Sequence, residues 1–224
     1  MTSTPKTARN EEASGPCVFV AESDTNVAEA VGVALAYCPY RVRIVRTGAD
    51  FLAAIGPESR GCALIEANLS DMHGLDVFDA LRAQGISMPV IILTACGDIP
   101  MAVAAISRGA SDFLEKPVPL GRLRMVIDSA LQTDTRQRGI LASRHALIRK
   151  FDSLTPRESE IVEAIIDGHS AADIARLLGI SARTVESHKR SIFQRLAVNS
   201  TTHLVSLALS VPTYRHKLGP YKDR

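Results

Sequence analysis

From Cys17 onward, short runs of apolar and β-branched residues alternate with stretches whose apolar positions recur every three or four residues. Val18-Phe19-Val20 precedes an alanine-rich helical pattern carrying Val27, Val31 and Leu35; Val42 and Ile44 follow, then Ala63-Leu64-Ile65. A helix near Leu75 to Ala83, the run Val90-Ile91-Ile92-Leu93, a helix from about Pro100 to Arg108, Asp112-Phe113-Leu114 and a helix from Leu120 complete the series. Alternation of this kind predicts a parallel sheet covered on both faces, with its site at the carboxyl ends of the strands. Those ends carry Glu22-Ser23-Asp24, Glu66, Thr94-Ala95 and Lys116-Pro117.

Beyond residue 153 the strand signals stop. Thr155-Pro156-Arg157-Glu158 reads as a helix start, with Thr155 as N-cap, Pro156 at the first helical position and Glu158 completing a capping box. Gly168 ends this helix; Ser170 with Asp173 opens a second, which Gly179 ends; Ser181 caps a third, running to about Leu196. At about 100° per residue, Val185, Ile192 and Leu196 of the third helix share one side. Arg183, Ser187, Arg190 and Gln194 share the other, flanked by Glu186 and Ser191, with Lys189 and Thr184 towards the edges. Guanidinium and amide groups pair with guanine and adenine edges, a carboxylate accepts from cytosine, and Lys189 and Thr184 suit phosphate oxygens. A charged face alone describes any solvated helix. The tight turn between two short helices is what points to a helix-turn-helix in the DNA major groove. His188 points to the core edge as a packing residue.

The segments LTPRE, DIARLLGIS and RTVESHKRSIFQRL resemble the LuxR-type DNA-binding domain of the NarL/FixJ response regulators, over roughly the last third of the chain. The resemblance implies base-reading positions at Glu186, Ser187 and Arg190 and backbone contacts at Thr184 and Lys189. It also makes Thr201 to Ser210 the family's fourth helix, with dimerisation through Leu204, Leu207 and Ala208.

Residues 17–131 resemble the receiver domain of the same regulators, through Thr94-Ala95, Gly109-Ala110, Phe113 and Lys116-Pro117. This implies a flavodoxin-like five-stranded parallel sheet. It also implies a phosphorylation pocket made of Glu22, Ser23, Asp24, Glu66, Thr94, Phe113 and Lys116. Typical receivers place two acidic residues after the first strand to hold Mg²⁺ and an aspartate after the third as phosphoacceptor. This chain has Glu22-Ser23 and Glu66, with Ser70-Asp71 where the family usually has Pro-Gly. Ser23 lacks the charge that Mg²⁺ coordination draws on, so no resident cofactor is expected. Glu66 is expected to pair with Lys116, either imitating part of a phosphorylated state or filling a dead pocket. Two other readings stay open: phosphorylation by a sensor kinase at Glu66, Asp24 or Asp71, and an adaptor that titrates a kinase or partner regulator. No nucleophile, base or metal constellation suggests an enzyme.

These patterns predict a leader over 1–16, a receiver-like domain over 17–131, a partly helical linker over 132–152, a helix-turn-helix domain over 153–211 and an exposed tail over 212–224. Gly139 is a candidate break in the linker, whose basic side offers further phosphate contacts. Charge sharpens the division: residues 1–130 hold 11 Lys and Arg against 15 Asp and Glu, and residues 131–224 hold 15 against 9. An acidic domain tethered to a basic one fits duplex DNA as a partner, with a second copy and a signalling protein as the others. Cys17, Cys38, Cys62 and Cys96 lack metal-ligand spacing and read as small buried hydrophobes. No apolar run approaches the ~20 residues of a membrane span, so a cytoplasmic protein is expected.

Overall fold

The computed structural model describes residues 15–96 and 99–215, without the side chain of Arg215. Most of the expected leader and the end of the expected tail lie outside the described residues. The chain divides between Arg138 and Gly139 into two compact units.

In the first unit β1 (Cys17–Ala21), β2 (Arg41–Val45), β3 (Gly61–Glu66), β4 (Val90–Thr94) and β5 (Asp112–Glu115) form one parallel sheet in the order β2-β1-β3-β4-β5. Alternate strand residues feed two cores. Phe19, Ile65 and Ile92 face α2 (Gly48–Ala54), α3 (Gly74–Ala83) and α4 (Ile99–Ser107), against Phe51, Phe78 and Ala105. Val18, Leu64 and Ile91 face α1 (Thr25–Leu35) and the start of α5 (Leu120–Asp152), against Leu35 and Ile127. Each of these branched or aromatic side chains contributes about 1.5–3 kcal/mol of transfer free energy when fully buried. The sheet is flavodoxin-like, with strand order reversing at β1 and β3, where α/β sheets leave a crevice at the strands' carboxyl ends. Gly74 opens α3 hard against this edge: a Cβ there would lie 2.3 Å from the Glu66 carbonyl oxygen.

Helix α5 runs unbroken through Gly139, where a break was expected. An interior glycine costs only about 1 kcal/mol relative to alanine. Each end of the helix is packed, by Leu123, Val126 and Ile127 in the first unit and by Phe151 with Leu147 and Ile148 in the second. Asp134 adds an anchor: its carboxylate accepts from Gly61 N at 3.0 Å and pairs with Arg138 at 2.9 Å, while Arg138 also donates to the Ser59 carbonyl.

The second unit continues with α6 (Pro156–Ile166), α7 (Ala171–Leu178), α8 (Ala182–Leu196), α9 (Thr201–Leu209) and the single turn α10 (Pro212–Arg215). Thr155–Glu158 and Ser170–Asp173 form capping boxes for α6 and α7, Ser181 caps α8 and Ser200 caps α9. Gly179 takes the left-handed conformation, φ 63°, that lets α7 stop and the chain turn into α8. The start of the expected exposed tail is instead a core element: Tyr214 is buried, its ring 5.3 Å from that of Phe151. The aromatic face gains more from packing there than from solvent. No described helix is long and apolar enough to cross a membrane.

Candidate functional site

Two arrangements carry chemistry, one in each unit. At the carboxyl edge of the sheet, Glu22 follows β1, Glu66 ends β3 and Lys116 follows β5. Lys116 Nζ donates to Glu22 Oε2 at 2.6 Å and to Glu66 Oε1 at 2.8 Å. The remaining oxygens are also used. Asp24 N donates to Glu22 Oε1 at 3.1 Å, and Ser23 donates to Glu66 Oε2 through its hydroxyl at 2.7 Å and its backbone N–H at 3.2 Å. Glu22 is fully buried, and the side chains of Lys116 and Glu66 are 13% and 12% exposed.

The two carboxyls titrate as one system, with opposite displacements. Burial pushes Glu22 up, Lys116 opposes that, and its hydrogen bond to Glu66 raises it further. Burial also acts upward on Glu66, but hydrogen bonds from Lys116, Ser23 and Glu22 outweigh it and hold that carboxyl down to about 2. Glu66 therefore carries the charge that answers Lys116, and Glu22 is the readier of the pair to hold a proton.

The other residues of the expected pocket turn elsewhere. The Asp24 carboxylate caps α1, accepting from Asn26 N at 2.7 Å and Val27 N at 3.2 Å. An aspartate just ahead of a helix has free N–H groups closer than any pocket partner. Asp71 likewise accepts from Gly48 N at 2.8 Å and Ala49 N at 2.9 Å, and these bonds lower its pKa. It ties the β3–α3 loop to the start of α2. Thr94 is buried, with its hydroxyl donating to Cys96 O at 3.1 Å and accepting from Cys96 N at 3.2 Å. Phe113 is half-buried against the core that also packs Met101 and Ala104. Of the cysteines, Cys17 and Cys62 are buried and Cys38 is half-buried, but Cys96, in the loop after β4, is exposed.

In the second unit, α8 buries Val185, Ile192 and Leu196 and exposes Arg183, Thr184, Glu186, Ser187, Arg190 and Gln194. Lys189 is half-buried and pairs with Glu186 at 3.1 Å. Thr184 Oγ1 lies 2.8 Å from Ser181 Oγ within the helix cap. Glu186, Lys189, Arg190, Phe193, Gln194 and Val198 line an open cleft of about 340 Å³ along the helix.

Ser191 does not belong to this face. Its hydroxyl donates to Glu158 Oε1 at 2.7 Å, while Glu158 Oε2 closes the α6 capping box with Thr155. A serine at the margin of the apolar stripe meets whatever the neighbouring helix presents, and here that is a buried carboxylate. Sequence periodicity marks Ser191 as marginal but says nothing of the helix beside it. The expected dimerisation residues also move inward: Leu204 and Ala208 are fully buried in this unit's own core, and Leu207 is half-buried against it. A nine-residue helix on a small domain spends its apolar positions on the monomer's core first. His188 is half-buried.

The sequence matches two families. The response regulator receiver domain family covers residues 18–128, and the family of bacterial regulatory proteins of the luxR type covers residues 152–208. The tetrathionate response regulatory protein TtrR of Salmonella typhimurium is 32% identical over 188 residues, 84% of this chain and 89% of that protein. The transcriptional regulatory protein FixJ of Bradyrhizobium diazoefficiens is 31% identical over 192 residues, 86% of this chain and 94% of that protein. Among solved structures, the response regulator StyR aligns with a TM-score of 0.78 at 34% identity, over 86% of this chain and 98% of StyR.

Proposed function

The chain belongs to the FixJ-type response regulators, in which a receiver is followed by a LuxR-type DNA-binding domain, and from that premise we propose a regulator whose receiver is held in one state without acyl phosphate. As a member it is a DNA-binding transcription regulator of the two-component class, and its relatives are regulators, not enzymes. A receiver implies a sensor kinase among its partners.

The observation that carries the proposal is the contact of one ammonium with both carboxylates, Lys116 with Glu22 and Glu66. In this reading Glu66 occupies the acceptor position. Phosphoryl transfer to a carboxylate needs a free oxygen and cations to neutralise the transferring group. Both Glu66 oxygens already accept hydrogen bonds, and Lys116 is already neutralised. Mg²⁺ does not fit this donor set. It demands near-octahedral oxygens at about 2.0–2.1 Å. Ser23 offers a hydroxyl committed as a donor to Glu66, and an ammonium occupies the space against both carboxylates. Asp24 and Asp71 are no better as acceptors, being spent on the starts of α1 and α2. Glu66 thus imitates part of a phosphorylated state, with one charge where a phosphoryl group carries nearly two.

The proposal includes sequence reading by Arg183, Glu186, Ser187, Arg190 and Gln194, with Thr184 and Lys189 nearer the backbone, and a homodimer on DNA. Binding of the untreated full-length protein to genomic fragments, footprinted with and without acetyl phosphate and Mg²⁺, tests it. Specific binding unchanged by the phosphodonor supports the reading. Binding that appears only with the phosphodonor refutes it. Light scattering on the bound complex reads the stoichiometry.

A further inference from the structure

The charges of the second unit are unevenly paired. Arg157 pairs with Glu160, Arg176 with Asp173, Lys189 with Glu186 and Arg195 with Glu158. Among the described side chains of 139–214, the cations outside any ion pair are Arg183 and Arg190 on α8, and Arg144, Arg149 and Lys150 near the end of α5. The first two lie on the reading face. The other three are all exposed, on a stretch of α5 with no acidic residue between Asp134 and Asp152.

The end of α5 is also fixed beside the reading helix. Phe151 and Leu154 belong to the same core as Val185 and Ile192. One flank of α8 reaches into the α5–α6 junction twice, through Arg195 to the Ser153 carbonyl at 3.0 Å and through Ser191 to Glu158 at 2.7 Å. At about 100° per residue, Leu147, Ile148 and Phe151 share the side of α5 that faces the core; Arg149 projects from the opposite side and Lys150 from the flank between, whereas Arg144 falls in the sector of the apolar residues. A helix in the major groove, about 12 Å wide, has a phosphate backbone along each flank.

We propose that Arg149 and Lys150 form a second phosphate-binding element of this unit, gripping the DNA backbone beside the strand that α8 flanks. The inference rests on the DNA-binding reading above and adds an element outside the helix-turn-helix. Arg149 and Lys150 also complement the C-terminal end of the α5 dipole, a role that needs no DNA. The two roles differ in what they change. Loss of a dipole partner lowers the stability of the free protein, most at low salt, and leaves the salt slope of DNA binding as it was. Loss of a phosphate contact flattens the salt dependence of binding.

The test uses the full-length protein and a footprinted fragment, comparing wild type with Arg149→Gln/Lys150→Gln and, as a control on the other side of the same helix, with Arg144→Gln. The expected result is a log K against log salt slope shallower by about 0.9 for each contact removed, with equal proportional loss on specific and random duplexes. Thermal unfolding of the same variants provides the control for folding. An unchanged slope in the double variant, or the same flattening in Arg144→Gln, with wild type still footprinting, overturns this element and leaves the regulator reading intact. A wild type that protects no fragment under any condition overturns both.

Discussion

The Ser23 hydroxyl lies 2.7 Å from Glu66 Oε2 and donates to it, so the side chain that follows Glu22 serves a carboxylate. An acidic residue at the same place would repel Glu66 and draw in a cation. In the proposed reading Ser23 and Glu66 act as a pair, each removing what the other would need for phosphoryl chemistry, so that changing one alone leaves the pocket unfit. Glu66→Asp should gain no label from acetyl phosphate and Mg²⁺, whereas Ser23→Asp/Glu66→Asp should label stoichiometrically, as read by intact mass. Robust labelling of the single variant would show that Ser23 does not limit the metal site.

Lys116 holds two carboxylates at once, one of them fully buried. Replacing it with alanine leaves Glu22 and Glu66 facing each other without a counter-charge. Breaking a buried pair in this way costs about 3–5 kcal/mol. Urea unfolding of Lys116→Ala should show that loss, and Glu22→Gln in the same background should recover part of it, since it removes one of the repelling charges. No recovery would mean that Glu22 keeps its proton without Lys116.

The same network sets a pH dependence. Glu66 is held down from its ordinary 4.5 to about 2 in the folded state. A carboxyl lowered by folding contributes stability that is present above its unfolded value and lost as pH falls through its folded one. Stability should therefore decline as pH drops from 4.5 towards 2, and Glu66→Gln should remove part of that slope. Glu22, raised by burial, acts in the opposite sense: its contribution is present at low pH and lost as pH rises through its folded value. Glu22→Gln should accordingly flatten the dependence above the ordinary carboxyl range. Thermal unfolding across pH reads both arms, and identical profiles for wild type and Glu66→Gln would contradict the assignment.

The sheet and its site edge were legible because short apolar and β-branched runs, separated by helical periodicity, leave little else to build. Glu22, Glu66 and Lys116 follow from strand ends, and the pairing of Glu66 with Lys116 from charge; that Glu22 shares the same ammonium was not foreseen. The partners of Ser23, Thr94 and Asp24 were not legible. Each is a short polar side chain with a backbone or side-chain partner within a few residues or across a loop, and periodicity is blind to that choice. Gly139 misled because a local propensity of about 1 kcal/mol is small beside the packing of both helix ends. Leu204 and Ala208 misled for a related reason: apolar spacing reports that a face is buried, not what buries it.

On α8, Arg190 and Lys189 are adjacent in sequence but differ in freedom. Arg190 is exposed without an ion pair, and Lys189 is half-buried against Glu186 at 3.1 Å. Arg190→Ala should reduce affinity for the specific site by about 1–3 kcal/mol, with relaxed preference at one base position. Lys189→Ala should weaken all sequences alike, flatten the salt slope and release Glu186. Fluorescence titration against the specific site, single-base variants and a random duplex distinguishes them. Equal loss on all duplexes for Arg190→Ala would remove it from base reading.

Glu158 joins the start of α6 to the middle of α8: one oxygen closes the Thr155 cap, the other accepts from Ser191. Burial works against its charge, yet the Thr155 and Ser191 bonds with Arg195 nearby bring its pKa down, so it is bound as a carboxylate. A hydrogen bond to a buried charged acceptor contributes about 1.5–3 kcal/mol. Ser191→Ala should therefore lower the stability of the protein by that order, and Glu158→Ala should lower it further through the lost cap. Combined, the two should cost less than their sum, because each removes the same bond. Base preference at the operator should be unchanged in Ser191→Ala, since its hydroxyl faces inward. A variant of normal stability with altered preference at one base pair would place Ser191 on the DNA side after all, and would mean that α8 rotates when it enters the groove.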